Sequence, residues 1–533
     1  MSGAAMTAGD GFGPALAAAL LGADRAPAAP GAPHGTAPDL ALDPDLAGNP
    51  GGALLARLAV AGARHLAGAG LTAEALTTFP PGAAREGRAC PPAAAARLAL
   101  LLSGGPSAEM RLREWCALAG AAGVSAPAWL LPALAPLREK APELVHPVAG
   151  AGLDWLAQVE AGAGAPPPRA REAADWTEGT PAERRAAFAA FRGRDPEAAR
   201  AALQAGFKAE RAEMRQHLVE AMRAGLNDSD EPFLEACLDD RALGVRSAAQ
   251  RLLARLPRSR FADRMAARVA AALVVESRKR FLLGTQHALT VALPEESPEL
   301  ARDGVAPRSW ERDTGRRAGL LRDILAAAPL RALSAHPPRL LIELALRSDF
   351  PLSILEGLMA AMRREDDHAW ARELAAVLGE AAAGRLPDVK DPKPMPGLWA
   401  RAAAALPAEE WERLVQESFR TRGAEAVITL LGNAPHAFSE GFSEALIRWF
   451  SATLRATRAG RQALVKSWAI GRSSQACAPS ERTAAAAAAL LEDLPAESAD
   501  QTEQQLRNQA TGLAEVLALR LAMRREFGTG ERD

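Results

Sequence analysis

Between Arg241 and Arg280 the basic residues are Arg241, Arg246, Arg251, Arg255, Arg258, Arg260, Arg264, Arg268, Arg278, Lys279 and Arg280, whereas the only acids are Asp263 and Glu276. A run of this kind suits an acidic partner or a phosphate backbone, because guanidinium groups donate several hydrogen bonds and keep their charge. Arg251, Arg255 and Arg258 follow i, i+4, i+7 spacing, so they share one helix face if the helix persists through Pro257. That face lies opposite Leu252, Leu253 and Leu256. These three arginines are the candidate partner contacts. A solvated face in an arginine-biased chain is the plainer reading of the same residues.

Other chemistry has little support in the sequence. No Gly-rich loop ends in Gly-Lys-Ser/Thr, and the glycines at Gly9, Gly11 and Gly13 follow no strand, so nothing predicts a phosphate cradle. The histidines form no H-x-x-x-H or H-E-x-x-H face, and none clusters with cysteine, so no metal site is predicted. Asp366-Asp367-His368 comes nearest to a metal trio, but adjacent helix residues point in different directions, and the three read as a solvated helix start. No acidic pair sits in an apolar context that would split its pKa values for acid/base work. No G-x-S-x-G elbow occurs. No catalytic residue and no cofactor is expected, although an enzyme assembled from distant positions, with a site between the N-terminal and central helical portions, stays open as a weaker reading.

The elements that would carry such a surface are set by composition and periodicity. At 533 residues the chain exceeds what one core normally serves, so several domains or a long repeat array are expected. Hydrophobic residues make up 49% and charged residues 24%, which fits a soluble globular protein, and the net charge of −1 lacks the overall basic excess of a dedicated nucleic-acid binder. Tyr is absent and aromatic content is 5%, which disfavours a base-stacking platform. Cys90, Cys116, Cys237 and Cys477 are far apart and form no C-x-x-C pair, so they read as reduced thiols. The N-terminal apolar run has no basic residues before it, and no apolar stretch reaches the roughly eighteen residues of a membrane span. A cytoplasmic protein without a membrane segment is expected.

Phe233 to Pro257, FLEACLDDRALGVRSAAQRLLARLP, reads as two short helices joined by a turn at Asp239-Asp240-Arg241. Apolar residues recur with three-four spacing at Phe233, Leu234, Cys237 and Leu238, then at Val245, Ala248, Ala249, Leu252, Leu253 and Leu256. Asp239-Asp240 serves as turn and N-cap of the second helix. A pair this short cannot bury its own stripe and needs a similar pair stacked on each side. The pattern resembles a HEAT-type repeat, and in HEAT-like stacks the second helix of each pair lines the concave side.

Along the chain, residues 1–52 read as flexible or irregular, 53–160 as an N-terminal helical region, 161–174 as a linker and 175–280 as the HEAT-like repeat core. An irregular insertion with a short strand at His287 to Leu293 occupies 281–315, a helical region 316–385, a linker 386–397 and a C-terminal helical region 398–533. Helix starts are marked by the capping box Thr180-Pro181-Ala182-Glu183, by Asp195-Pro196 and by Ser439. The fold class is all-α, a HEAT-like α-solenoid of stacked helix pairs with at most one short β insertion.

Several phrases carry a wider resemblance: Leu20-Leu21-Gly22 with Asp24-Arg25, Asp175 to Arg184, Asp230 to Arg246, Leu256 to Met265, Ala292 to Gly304 and Pro435 to Ser439. The chain resembles an uncharacterised bacterial helical-repeat family of unknown function. The resemblance implies a cytoplasmic bacterial protein of the kind encoded near MoxR-type AAA+ ATPases, von Willebrand factor A-domain proteins and SWIM zinc-finger proteins. It carries over no catalytic residue. The expected function is a non-enzymatic scaffold for protein partners in an AAA+ ATPase-associated assembly, with a MoxR-type ATPase or a von Willebrand factor A-domain protein as partner. The alternative is a HEAT-like DNA-binding or DNA-repair protein using the basic helix face.

Overall fold

The structure is a computed structural model that describes residues 87–104, 108–161, 176–179, 181–280, 284–306 and 315–528. Twenty-three α-helices and two small sheets lie among the described residues. The chain divides into two compact units, Met1–Arg169 and Ala170–Asp533. The segment read as 1–52, the Thr180 cap and most of the 161–174 linker fall outside the described residues.

In the first unit, α1 (Pro92–Leu102) packs on α2 (Ala108–Ala121), and α4 (Pro142–Ala161) packs on both α2 and α3 (Leu131–Lys140). Two-residue strands β1 (Arg88–Ala89) and β2 (Val124–Ser125) pair in parallel. The Trp115 indole N–H donates to the Ala94 carbonyl at 3.0 Å and locks α2 against α1 through a fully buried ring.

The second unit begins with α5 (Pro181–Arg194), α6 (Pro196–Gly206), α7 (Ala212–Ala221), α8 (Glu231–Cys237), α9 (Leu243–Leu253) and α10 (Arg260–Ala272). Asp195 caps α6 as its sequence position predicts, accepting from the Ala198 N–H at 3.0 Å, a contact worth about 1 kcal/mol. α8 and α9 form the predicted pair, and every apolar residue of both stripes, from Phe233 to Leu256, is buried. α7 packs on α5 and on α9, its next-but-one neighbours on either side, which is how stacked pairs bury stripes they cannot cover alone.

Two features of this pair differ from the sequence reading. α9 ends at Leu253, with Arg255 and Leu256 in a turn that closes on the carbonyls of Leu252 and Leu253. Its N-cap is Ala242, and Asp240 instead accepts from the Ala242 N–H at 2.8 Å from inside the preceding turn.

The region after α10 is a hairpin, β3 (Leu273–Arg280) with β4 (Gly284–Val291), antiparallel and in register from Leu273 opposite Val291 to Arg280 opposite Gly284. The sequence reading expects one short strand, at His287 to Leu293, and keeps Leu273–Arg280 in the helical core; the alternation of β3 becomes legible only once β4 supplies its cross-strand partner. The short helix α11 (Pro298–Arg302) follows, capped by Ser297.

Beyond it come α12 (Arg316–Ala327), α13 (Pro338–Arg347), α14 (Pro351–Glu365), α15 (His368–Ala382), α16 (Met395–Ala403), α17 (Ala408–Thr421) and α18 (Ala424–Leu431). The unit closes with α19 (Glu440–Ala456), α20 (Arg458–Ser467), α21 (Ala469–Ala476), α22 (Glu481–Glu492) and α23 (Gln501–Glu526). The next-but-one pattern continues: α12 packs on α14, α13 on α15, α16 on α18, and α17 on α19. One continuous apolar core runs from Trp176 to Leu517. The irregular connection between α15 and α16 is tied back to the stack, with the Lys390 N–H on the Leu346 carbonyl at 3.1 Å and its ammonium 2.9 Å from Asp349.

Candidate functional site

Because α9 ends at Leu253, Arg251, Arg255 and Arg258 do not form one helical face. Arg251, exposed on α9, pairs with Glu220 of α7 at 2.8 Å. Arg255 and Arg258 are exposed in the turn between α9 and α10, and no acid among the described residues pairs with either.

Four more arginines of the run are engaged by groups of the fold. Arg246 donates to the Asp240 and Arg241 carbonyls at 2.8 and 3.1 Å, and Arg260 pairs with Glu231 at 3.1 Å. Arg264 grips Asp303 with Nε at 3.0 Å and Nη2 at 2.7 Å, and reaches Glu235 at 3.0 Å. Arg268 adds a further contact to Asp303 at 2.7 Å. Glu220, Glu231, Glu235 and Asp303 all lie outside the Arg241–Arg280 window, so the fold offsets part of the excess that the window alone displays.

The acidic turn of the repeat works in the same way. Arg302 holds Asp239 bidentately at 2.7 and 2.8 Å, and that hydrogen bond keeps the Asp239 carboxyl below its ordinary range. Arg215 holds Asp240 at 2.9 and 3.0 Å. Burial pushes the Asp240 carboxyl up, but the hydrogen bonds from Arg215 and Ala242 outweigh it and leave it low. Asp239 and Asp240 therefore join three layers of the stack, α7, α8 and α11, beyond making a turn.

The α9–α10 turn borders a cleft of about 640 Å³ whose lining includes Leu330, Leu333, His336, Pro337, Glu365 and Trp370. Arg331, also in the lining, connects the two: its guanidinium donates to the Pro257 carbonyl at 2.9 and 3.2 Å and pairs with Asp263 at 2.7 Å. Glu365 accepts from the Leu330 N–H at 3.0 Å and from Arg364 at 2.7 Å. Asp367, on the cleft wall, caps α15 by accepting from Ala369 and Trp370. Burial lowers the Arg364 pKa, with Glu365 acting against it and the charge of Arg255 adding to it. The cleft thus offers an apolar floor joined through Arg331 to the turn that carries Arg255 and Arg258, while Glu365 and Asp367 both accept from backbone N–H groups.

One arrangement has the residue types of a nucleophilic site. Ser439 Oγ donates to Glu412 Oε2 at 2.6 Å, and His436 Nε2 lies 3.7 Å from Glu412 Oε1. The carboxylate stands between hydroxyl and imidazole, so the serine proton is held by Glu412 and the imidazole makes no hydrogen bond to the hydroxyl, which is not the Ser–His order of an activated nucleophile. Ser439 also caps α19 as predicted, accepting from the Phe442 N–H at 3.2 Å. The trio fastens α17 to the start of α19. Among the described residues no three His, Cys, Asp or Glu side chains are grouped to hold a metal ion.

Sequence reasoning missed the buried ion pairs, above all Arg192 with Asp230, because their partners are dozens of residues apart. The only local hint was the capping box that Asp230 forms with Asn227.

Stacked helix pairs around a shared apolar core, stitched by arginine–carboxylate bridges between layers, define an all-α helical-repeat protein. Residues 14–527 match the family of unknown function DUF5691, and the chain belongs to that family. No curated protein and no solved structure matches it. No helix among the described residues is long and apolar enough to cross a membrane.

Proposed function

We propose that this protein is a non-enzymatic cytoplasmic scaffold that holds protein partners, in an assembly built with a MoxR-type AAA+ ATPase or a von Willebrand factor A-domain protein. The observation that carries the reading is the cleft with its apolar floor of Leu330, Leu333 and Trp370, tied through Arg331 to the α9–α10 turn on which Arg255 and Arg258 are exposed and paired with no acid among the described residues. Apolar anchors beside cations suit a protein surface that brings an acidic rim to an apolar contact. A duplex-binding reading needs a continuous stripe of uncommitted cations, and the pairing of Arg251, Arg260, Arg264 and Arg268 works against it.

The test is recovery of partners by the tagged protein from its native cells, with and without nuclease, for the wild type and for Arg255→Glu/Arg258→Glu. The scaffold reading expects a stoichiometric protein partner that survives nuclease and is lost with the double variant. A partner set unchanged in the variant removes the site. Nuclease-sensitive recovery, together with salt-dependent binding of duplex DNA, overturns the scaffold reading in favour of the DNA-binding one.

A further inference from the structure

Among the described residues β3 and β4 pair only with each other, so each strand has an outer edge outside any ladder. The Ala292 N–H donates to the Ala272 carbonyl at 2.8 Å, which sets the phase of the pairing. Even-numbered residues of β3 exchange hydrogen bonds with β4, and odd-numbered ones, Val275 and Ser277 among them, turn their N–H and C=O groups outward. Edges are commonly blunted by proline, by a bulge or by shortness. β3 runs for eight residues with no proline and an unbroken register.

The two faces of the strand differ. Leu273 and Val275 lean on the helical core, whereas Val274, Glu276 and Arg278 are exposed on the other face. Glu276 and Arg278 are next neighbours there, with Arg278 Nη2 3.2 Å from Glu276 Oε2. Their order makes the edge complementary to itself. An antiparallel strand added to this edge must bond through outward groups, so a second β3 sets odd residues opposite odd ones. With Ser277 opposite its own copy, Glu276 falls opposite Arg278 of the second copy and Arg278 opposite its Glu276. Both are non-hydrogen-bonded positions, where side chains stand closest. Sliding the strand by two residues either way sets Glu276 against Glu276 or Arg278 against Arg278, which destabilises a ladder. The antiparallel order also sends the basic tips, Arg278-Lys279-Arg280 and its copy, to opposite ends.

We propose that the β3 edge is a docking surface for a second copy of this chain, giving a symmetric four-stranded sheet closed by two Glu276–Arg278 pairs. Such an interface is isologous, each copy offering the same patch to the other. It uses none of the cleft residues and stands or falls independently of the cleft.

The experiment is the mass of the full chain by sedimentation equilibrium across a wide range of concentration at low salt. The wild type should pass from monomer to dimer as concentration rises. Glu276→Arg or Arg278→Glu alone sets like charges opposite each other at both positions and should raise the dimer Kd roughly tenfold or more. The double variant Glu276→Arg/Arg278→Glu restores opposite charges and should dimerise as wild type does, and an equimolar mixture of the two single variants should form a heterodimer. Ser277→Pro takes away an N–H that points out of the hairpin, so the β3–β4 ladder survives while the dimer is lost. A monomeric mass at every concentration overturns the proposal and leaves the edge to a strand of some other chain. A dimer that neither Ser277→Pro nor a single charge reversal weakens overturns it too.

Discussion

Arg192 and Asp230 face each other in the core with Nη2 2.7 Å from Oδ2 and Nη1 3.1 Å from Oδ1, and neither side chain has any exposure to water. The remaining donors of Arg192 go to the carbonyls of Pro196, Met222, Ala224 and Gly225, and Asp230 also accepts from the Asn227 N–H at 3.1 Å. One side chain therefore closes the end of α7 and holds α5 to the start of α8. Glycine is needed at Gly225, where φ is +61° and a Cβ would meet the Arg192 carbonyl at 2.9 Å.

From this pair an asymmetry is expected. Arg192→Ala leaves the buried Asp230 carboxylate only Arg200 at 3.3 Å and the Asn227 N–H, strands several carbonyls, and should cost about 3–5 kcal/mol. Asp230→Asn keeps a polar partner, and Arg192 keeps its backbone acceptors, so the loss should be smaller. Urea unfolding of both variants decides it; equal losses would mean that the carbonyl contacts contribute nothing.

Acid should loosen the Asp240–Arg215 bridge. The folded-state pKa of Asp240 lies below its ordinary value, so its contribution is complete above about pH 4, the unfolded range, and disappears as pH falls through the lower folded value. With both side chains largely buried, Asp240→Asn should cost about 1.5–3 kcal/mol at pH 7. The penalty should shrink as pH falls through the lowered folded-state value, and a penalty independent of pH would show that shape, not charge, makes the contact.

Thiol labelling should separate the cysteines. Cys116, Cys237 and Cys477 are buried, and burial pushes each thiol up to about 12, so none forms the reactive thiolate near neutral pH. Cys90 is half-buried. Maleimide at pH 7.5 should modify Cys90 first in the native protein and all four after denaturation. Rapid native labelling of Cys237 would contradict the packing of the α8 stripe.

Trp468 adopts the left-handed backbone region, φ +57°, between α20 and α21, and its ring is 56% exposed. A bulky side chain there carries a strain of about 1–2 kcal/mol that glycine avoids. Trp468→Gly should therefore leave Tm unchanged or raise it slightly, since little packing is lost. A fall of several degrees would show that the ring's rest on Gly471 outweighs the backbone strain.

The local sequence determined which faces are buried. The three-four recurrence from Phe233 to Leu256 marks the stripes that lie in the core, and Asp195 and Ser439 cap their helices at the predicted positions, because periodicity and capping act within one or two turns of chain. Identity of the neighbours was decided by tertiary structure. Arg192 finds Asp230 across 38 residues, Arg264 finds Asp303 across 39 and Arg302 finds Asp239 across 63. Those distances are set by how far each helix pair slides and turns against the next, which no window of sequence specifies. For the same reason Arg251, Arg260, Arg264 and Arg268 of a strongly basic stretch find acids of other layers, while Arg422, whose own sequence neighbours include Glu417, ends with an indole beneath it.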